Sequence, residues 1–88
     1  MTVTPPIEIY TQPACPYCIR AIQLLRGKGV VFTEISAPPG SKERADSIQR
    51  AGGKTSVPQI FVGGKLIGGC DDLYALERAK RLDPVLFG

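Results

Sequence analysis

The chain contains no histidine in its 88 residues. That absence removes every mechanism needing an imidazole base and every metal site built on histidine ligands. Cysteine is scarce as well: there are three, an odd number, and Cys15 and Cys18 are too close in sequence to staple distant elements. A secreted disulfide framework is therefore a poor reading. No apolar run approaches the length of a membrane span. Met1-Thr2-Val3-Thr4-Pro5-Pro6 lacks a basic residue and holds two prolines, so residues 1–6 read as a short tail rather than a secretory leader. The expected location is a reducing cytoplasm. A concentration of one charge is missing too. The net charge is only +3, the basic residues are scattered from Arg20 to Arg81, and the Arg78, Lys80, Arg81 group falls in the last turn of a predicted helix, where cations complement the dipole. Neither nucleic acid nor a membrane is an expected partner, whereas small anions and acidic proteins are.

What the chain does hold is Cys15-Pro16-Tyr17-Cys18, set between the alternating run Ile7–Tyr10 and the longer run Ile19–Leu25. The first predicts a strand and the second a helix with Cys18, Ala21, Ile22 and Leu25 on its buried face, ended by Gly27-Lys28-Gly29. Val30–Ile35 is rich in β-branched and aromatic residues and predicts a second strand, parallel to the first through a right-handed crossover. Ser41 is a predicted N-cap for a helix reaching about Ala51, with Ala45, Ile48 and Ala51 as a thin apolar stripe and Gly52-Gly53 closing it. Gln59–Val62 and Lys65–Ile67, joined by Gly63-Gly64, predict a β-hairpin. Cys70-Asp71-Asp72 open a third helix with Leu73, Leu76 and Ala79 on one face, ended at Asp83-Pro84. Residues 1–88 thus read as a single α/β domain, β-α-β-α-β-β-α, with a four-stranded mixed sheet flanked by three helices.

A Cys-x-x-Cys pair where a strand hands over to a helix has two readings, a redox pair or half of a metal site. A zinc site wants a second Cys or His pair, and only Cys70 remains, so the redox reading is the stronger and no metal ligands are expected. In that reading Cys15 is the nucleophile, its thiolate favoured by unpaired N–H groups at the helix start, and Cys18 is placed to attack a mixed disulfide on Cys15. Pro16 loses no hydrogen bond in a first turn. Tyr17 either flanks a substrate or is a plain surface aromatic. Base rates favour a trans Val57-Pro58 bond. Gly68-Gly69 before a helix allow close approach of a ligand, while Asp71 and Asp72 are equally ordinary caps. Cys70 reads as a small, partly buried residue, yet its place at a helix start makes it a candidate for side oxidation.

Taken together and in register, Cys15-Pro16-Tyr17-Cys18, Thr55-Ser56-Val57-Pro58-Gln59-Ile60-Phe61 and Gly68-Gly69-Cys70-Asp71-Asp72-Leu73 resemble a dithiol glutaredoxin, closest to the small bacterial ones. The resemblance implies a thioredoxin fold with sheet order 2-1-3-4, a cis Val57-Pro58 bond, and glutathione as co-substrate with no tightly bound cofactor. It implies that Tyr17, Val57, Pro58, Gly69, Cys70, Asp71 and Asp72 contact glutathione, with Asp72 facing the amino group of the γ-glutamyl end. It further implies reduction of protein disulfides and of protein-glutathione mixed disulfides by a monomer. Many relatives carry lysine where this chain has Gln12, and Lys54 is then the expected partner of the glycyl carboxylate. Two rivals remain beside this reading: a thioredoxin-like donor reduced by a flavoenzyme, and a 2Fe-2S cluster carrier using Cys15 and glutathione. In a third, non-catalytic reading, Cys15 and Cys18 merely pack.

Overall fold

A computed structural model describes residues 5–87. Residues 1–4 of the expected tail, and residue 88, lie outside the described residues. The elements are β1 (Ile7–Thr11), α1 (Pro16–Gly27), β2 (Thr33–Ser36), α2 (Lys42–Arg50), β3 (Gln59–Val62), β4 (Lys65–Gly68), α3 (Cys70–Arg78) and α4 (Leu82–Phe87). They build one sheet in the order β2-β1-β3-β4. β1 runs parallel to β2 and antiparallel to β3, and β3 pairs antiparallel with β4. This is the order that the resemblance implies.

The period of two in β1 sorts its side chains to opposite faces. Ile7 and Ile9 join Ala21 and Leu25 of α1, Leu73 of α3 and Leu82 and Leu86 of α4 in the main core. Tyr10 points the other way and packs with Phe61, Ala37 and Ala51 on the α2 side. β3, buried at every position, is covered on both faces. The central strands β1 and β3 are therefore held between helices, and the Cys15–Cys18 segment follows the C-terminal end of a central strand packed on both faces.

Three details differ from the sequence-based expectation. β2 begins at Thr33 rather than Val30, because its first partner on β1 is Glu8, next to the start of that strand. Val30 and Phe32 still pack on the core from the preceding loop, while Val31 is 92 % exposed. In α2 the expected stripe holds in part: Ala51 is buried and Ile48 half-buried, but Ala45 is exposed, and Ser47 is the buried residue within the helix.

The last difference adds a fourth helix to the expected three. α3 stops at Arg78, with Lys80 in the left-handed region at φ 59°. Lys80 N–H donates to Glu77 O at 3.0 Å and Arg81 N–H to Leu76 O at 2.9 Å, the paired bonds of a Schellman ending. No glycine marks this end. The chain then restarts as α4, where Pro84 sits in the first turn and forfeits no hydrogen bond. Lys28 Nζ, 2.7 Å from both Glu77 Oε1 and Asp83 Oδ1, ties the end of α1 to α3 and α4.

Candidate active site

The turn Gln12-Pro13-Ala14 carries the chain from β1 to α1, with Ala14 in the left-handed region at φ 57°. It delivers Cys15 to the N-cap position in an extended conformation, φ −102° and ψ 106°. Cys15 Sγ accepts the Cys18 N–H at 3.2 Å, so sulfur takes the role usually played by a serine or aspartate oxygen. The sulfur therefore sits at the positive end of the helix dipole. The thiol also lies 4.0 Å from Val57 O. All three thiols are free.

Cys18 sits in a different environment three residues on. It is 2 % exposed. Burial, then its contact with the Cys15 sulfur, pushes its thiol from 9.0 up to about 12. A value raised on folding means that the neutral buried thiol stabilises the fold fully below pH 9.0, and that this contribution disappears as pH climbs toward 12. Tyr10, raised by burial and by its bond to Asp46, works in the same direction. Thermal melts are therefore expected to show a melting temperature falling above pH 9.0, with a shallower fall in Cys18→Ala.

Val57 connects the thiol to a cleft of about 260 Å³. Every residue expected to contact glutathione lines it: Tyr17, Lys54, Val57, Pro58, Gly69, Cys70, Asp71 and Asp72. Ser56 and Gln59 line it too and were not foreseen. One wall is the Val57-Pro58 edge, whose peptide bond is cis. The opposite wall is the start of α3, where Asp72 Oδ2 accepts the Gly69 N–H at 3.0 Å. A Cβ at Gly69 would lie 3.3 Å from Pro58 O, so glycine lets the two walls close on each other. Tyr17 stands 55 % exposed at the rim. Cys70 is buried, and burial raises its thiol, which disfavours the thiolate that side oxidation needs.

Gln12 is not without a cation. Arg44, from the first turn of α2, donates from Nη1 to Gln12 Oε1 at 2.8 Å and to Ala37 O at 2.9 Å, and from Nε to Thr55 O at 3.0 Å. A guanidinium thus rests on the segment that leads into Val57. Nothing in the sequence signals it, since the contact bridges 32 positions and depends on how α2 docks.

Comparison with known proteins agrees with this geometry. The glutaredoxin family model matches residues 7–67. A glutaredoxin of Pseudomonas aeruginosa is 55 % identical over 82 residues, covering 93 % of this chain and 96 % of its own. Glutaredoxin 3 of Escherichia coli strain K12 is 51 % identical over 80 residues, covering 91 % and 95 % respectively. Among solved structures, a buckwheat glutaredoxin-glutathione complex superposes with a TM-score of 0.82 at 32 % identity, covering 93 % of this chain and 76 % of that one. With a dithiol pair at a helix start in a thioredoxin-type sheet and these relatives along nearly its whole length, the chain belongs to the glutaredoxins, a family of thiol-disulfide oxidoreductases.

Proposed function

We propose that the protein draws its electrons from glutathione and reduces both protein disulfides and protein-glutathione mixed disulfides, with Cys15 as nucleophile and Cys18 as resolving thiol. The observation that carries this reading is Cys15 Sγ capping α1 beside Val57 O, at a cleft walled by Val57-Pro58 and the start of α3. The buckwheat relative, solved as a glutathione complex, supports the choice of reductant.

In the first route the Cys15 thiolate attacks one sulfur of a protein disulfide, forming a mixed disulfide and expelling the other sulfur as thiolate. Cys18 loses its proton and attacks Cys15 Sγ, releasing the reduced protein and leaving a Cys15–Cys18 disulfide. Two glutathione molecules then return both thiols and leave as glutathione disulfide. In the second route Cys15 attacks the glutathione sulfur of a glutathionylated protein, the protein thiolate leaves, and one further glutathione frees Cys15 as glutathione disulfide. Only the first route needs Cys18.

The tripeptide is assigned to the cleft by its chemistry. Its backbone pairs with that of Val57, its γ-glutamyl carboxylate meets the N–H donors of α3, and Asp72 Oδ1 is left to face its amino group while Oδ2 holds Gly69. Lys54 and Arg44 attract the glycyl carboxylate, and Tyr17 lies along the cysteinyl part. The protein is proposed to work as a monomeric single domain in the cytoplasm. Steady-state assays with a small glutathione mixed disulfide test the reading: the rate should saturate with glutathione and need no flavoenzyme. A rate indifferent to glutathione, restored by a flavoprotein reductase, contradicts it.

A further inference from the structure

α2 is a nine-residue helix whose buried position is a serine, so apolar contact does little to hold it. Its attachment is polar and aromatic instead, and it is concentrated in Arg50. The Arg50 guanidinium lies 4.0 Å from the Phe61 ring centroid and 5.6 Å from that of Tyr10. Nη1 donates to the Tyr10 hydroxyl at 2.9 Å, and Nη2 donates to Glu8 Oε1 at 3.0 Å. The Tyr10 hydroxyl in turn donates to Asp46 Oδ2, one turn earlier on α2. One phenol on β1 therefore grips α2 at Asp46 and Arg50 together. Phe61 and Tyr10, edge to face at 5.8 Å, belong to the cluster against which Val57 packs.

The other end of the same helix carries Arg44, whose three hydrogen bonds reach Gln12, Ala37 and Thr55. A rigid helix transmits a displacement at one end to the other, so Arg44 keeps all three of these bonds in register only while the helix stays where Arg50 holds it. We propose that Arg50 is a positioning residue for the thiol site: by locking α2 onto Tyr10, Phe61 and Glu8 it fixes the Arg44 guanidinium on the Thr55 rim of the cleft. There the charge meets the carboxylate of an anionic thiol. The last step rests on the glutathione reading above; the placement of Arg44 does not.

The test has one readout that is independent of glutathione and one that uses it. In nitrogen-15 spectra, the Arg44 Nε–H held on Thr55 O should give a signal shifted from that of a free guanidinium in the wild type, and Arg50→Met should move it to the free position. Arg50→Met should also raise the KM for glutathione about fivefold, the scale of one partly exposed charge contact, with kcat at saturation little changed. Arg50→Lys, which keeps the charge toward Glu8, should recover part of both effects. In an Arg44→Met background, Arg50→Met should raise KM no further. A purely structural Arg50 would lower the melting temperature and leave the Arg44 signal in place, or multiply its KM effect on top of Arg44→Met; either result overturns the proposal. Tyr10→Phe removes only the bridging hydroxyl and should shift both readouts the same way if Arg50→Met does not fold. A wild type that fails to saturate with glutathione overturns the functional reading, while the Arg44 signal still decides the placement.

Discussion

Cys15→Ser is expected to abolish turnover of every disulfide substrate, by roughly three orders of magnitude or more, because a hydroxyl at the N-cap cannot replace a thiolate as nucleophile or leaving group. Cys18→Ser is expected to keep release of glutathione from mixed disulfides and to lose reduction of protein disulfides. The split follows from the environments of the two sulfurs. Cys15 Sγ is offered the Cys18 N–H at the start of α1, whereas Cys18 is buried, with its thiol pushed up to about 12. Burial, the largest cause of that rise, persists when Cys15 is in a mixed disulfide, so the thiolate fraction of Cys18 still grows with pH through the neutral range. The protein-disulfide route of the wild type should therefore climb with pH through the neutral range more steeply than deglutathionylation does. Parallel assays of both substrates at several pH values, on the wild type and both serine variants, measure this. Equal pH slopes for the two routes count against Cys18 as the resolving thiol.

Gly68→Ala is expected to damage stability and the cleft together. Gly68 adopts φ 122°, and a Cβ there would lie 2.3 Å from Asp72 Oδ2 and 2.8 Å from Asp72 Cβ. Asp72 must swing away, which surrenders its bond to the Gly69 N–H and withdraws its carboxylate from the cleft. Gly68 is buried and pairs with Ile60, so moving the strand instead would disturb its pairing with β3. Lost cap and strained backbone together cost about 2 kcal/mol, which for a domain of this size lowers the melting temperature by about 10 °C. Glutathione affinity should fall with it. Thermal melts and a glutathione titration check both, and an unchanged KM in a folded variant contradicts the assignment of Asp72 to the ligand.

How much of this was legible in the sequence follows from whether a residue's role is set by its neighbours in the chain. Gly63-Gly64 announce the hairpin because both turn positions need positive φ, and they have it at 59° and 82°. Gly52 announces the end of α2 for the same reason, at φ 69°. The end of α3 uses the same Schellman bonds with Lys80 in the left-handed position, so the glycine signal is absent and α3 was expected to run on to Asp83. The start of β2 depends on its pairing with Glu8, which no local pattern encodes. The thiols and the cleft walls were legible because each is a compact motif. Arg44 and Arg50 were not, because charged residues on a short helix read as solvated until the docking of that helix is known. The resemblance to a family, rather than any base rate, carried the expectation of a cis Val57-Pro58 bond, and the bond is cis.

Of the three thiols, Cys15 alone is expected to accept glutathione. Cys18→Ser, treated with glutathione disulfide and mapped by peptide mass spectrometry, tests it most directly, since the resolving thiol can no longer clear the adduct. The expected product carries one glutathionyl group, on the peptide containing Cys15, with Cys70 unmodified in the folded protein. An adduct on Cys70 with Cys15 left free, or no adduct at all, contradicts it.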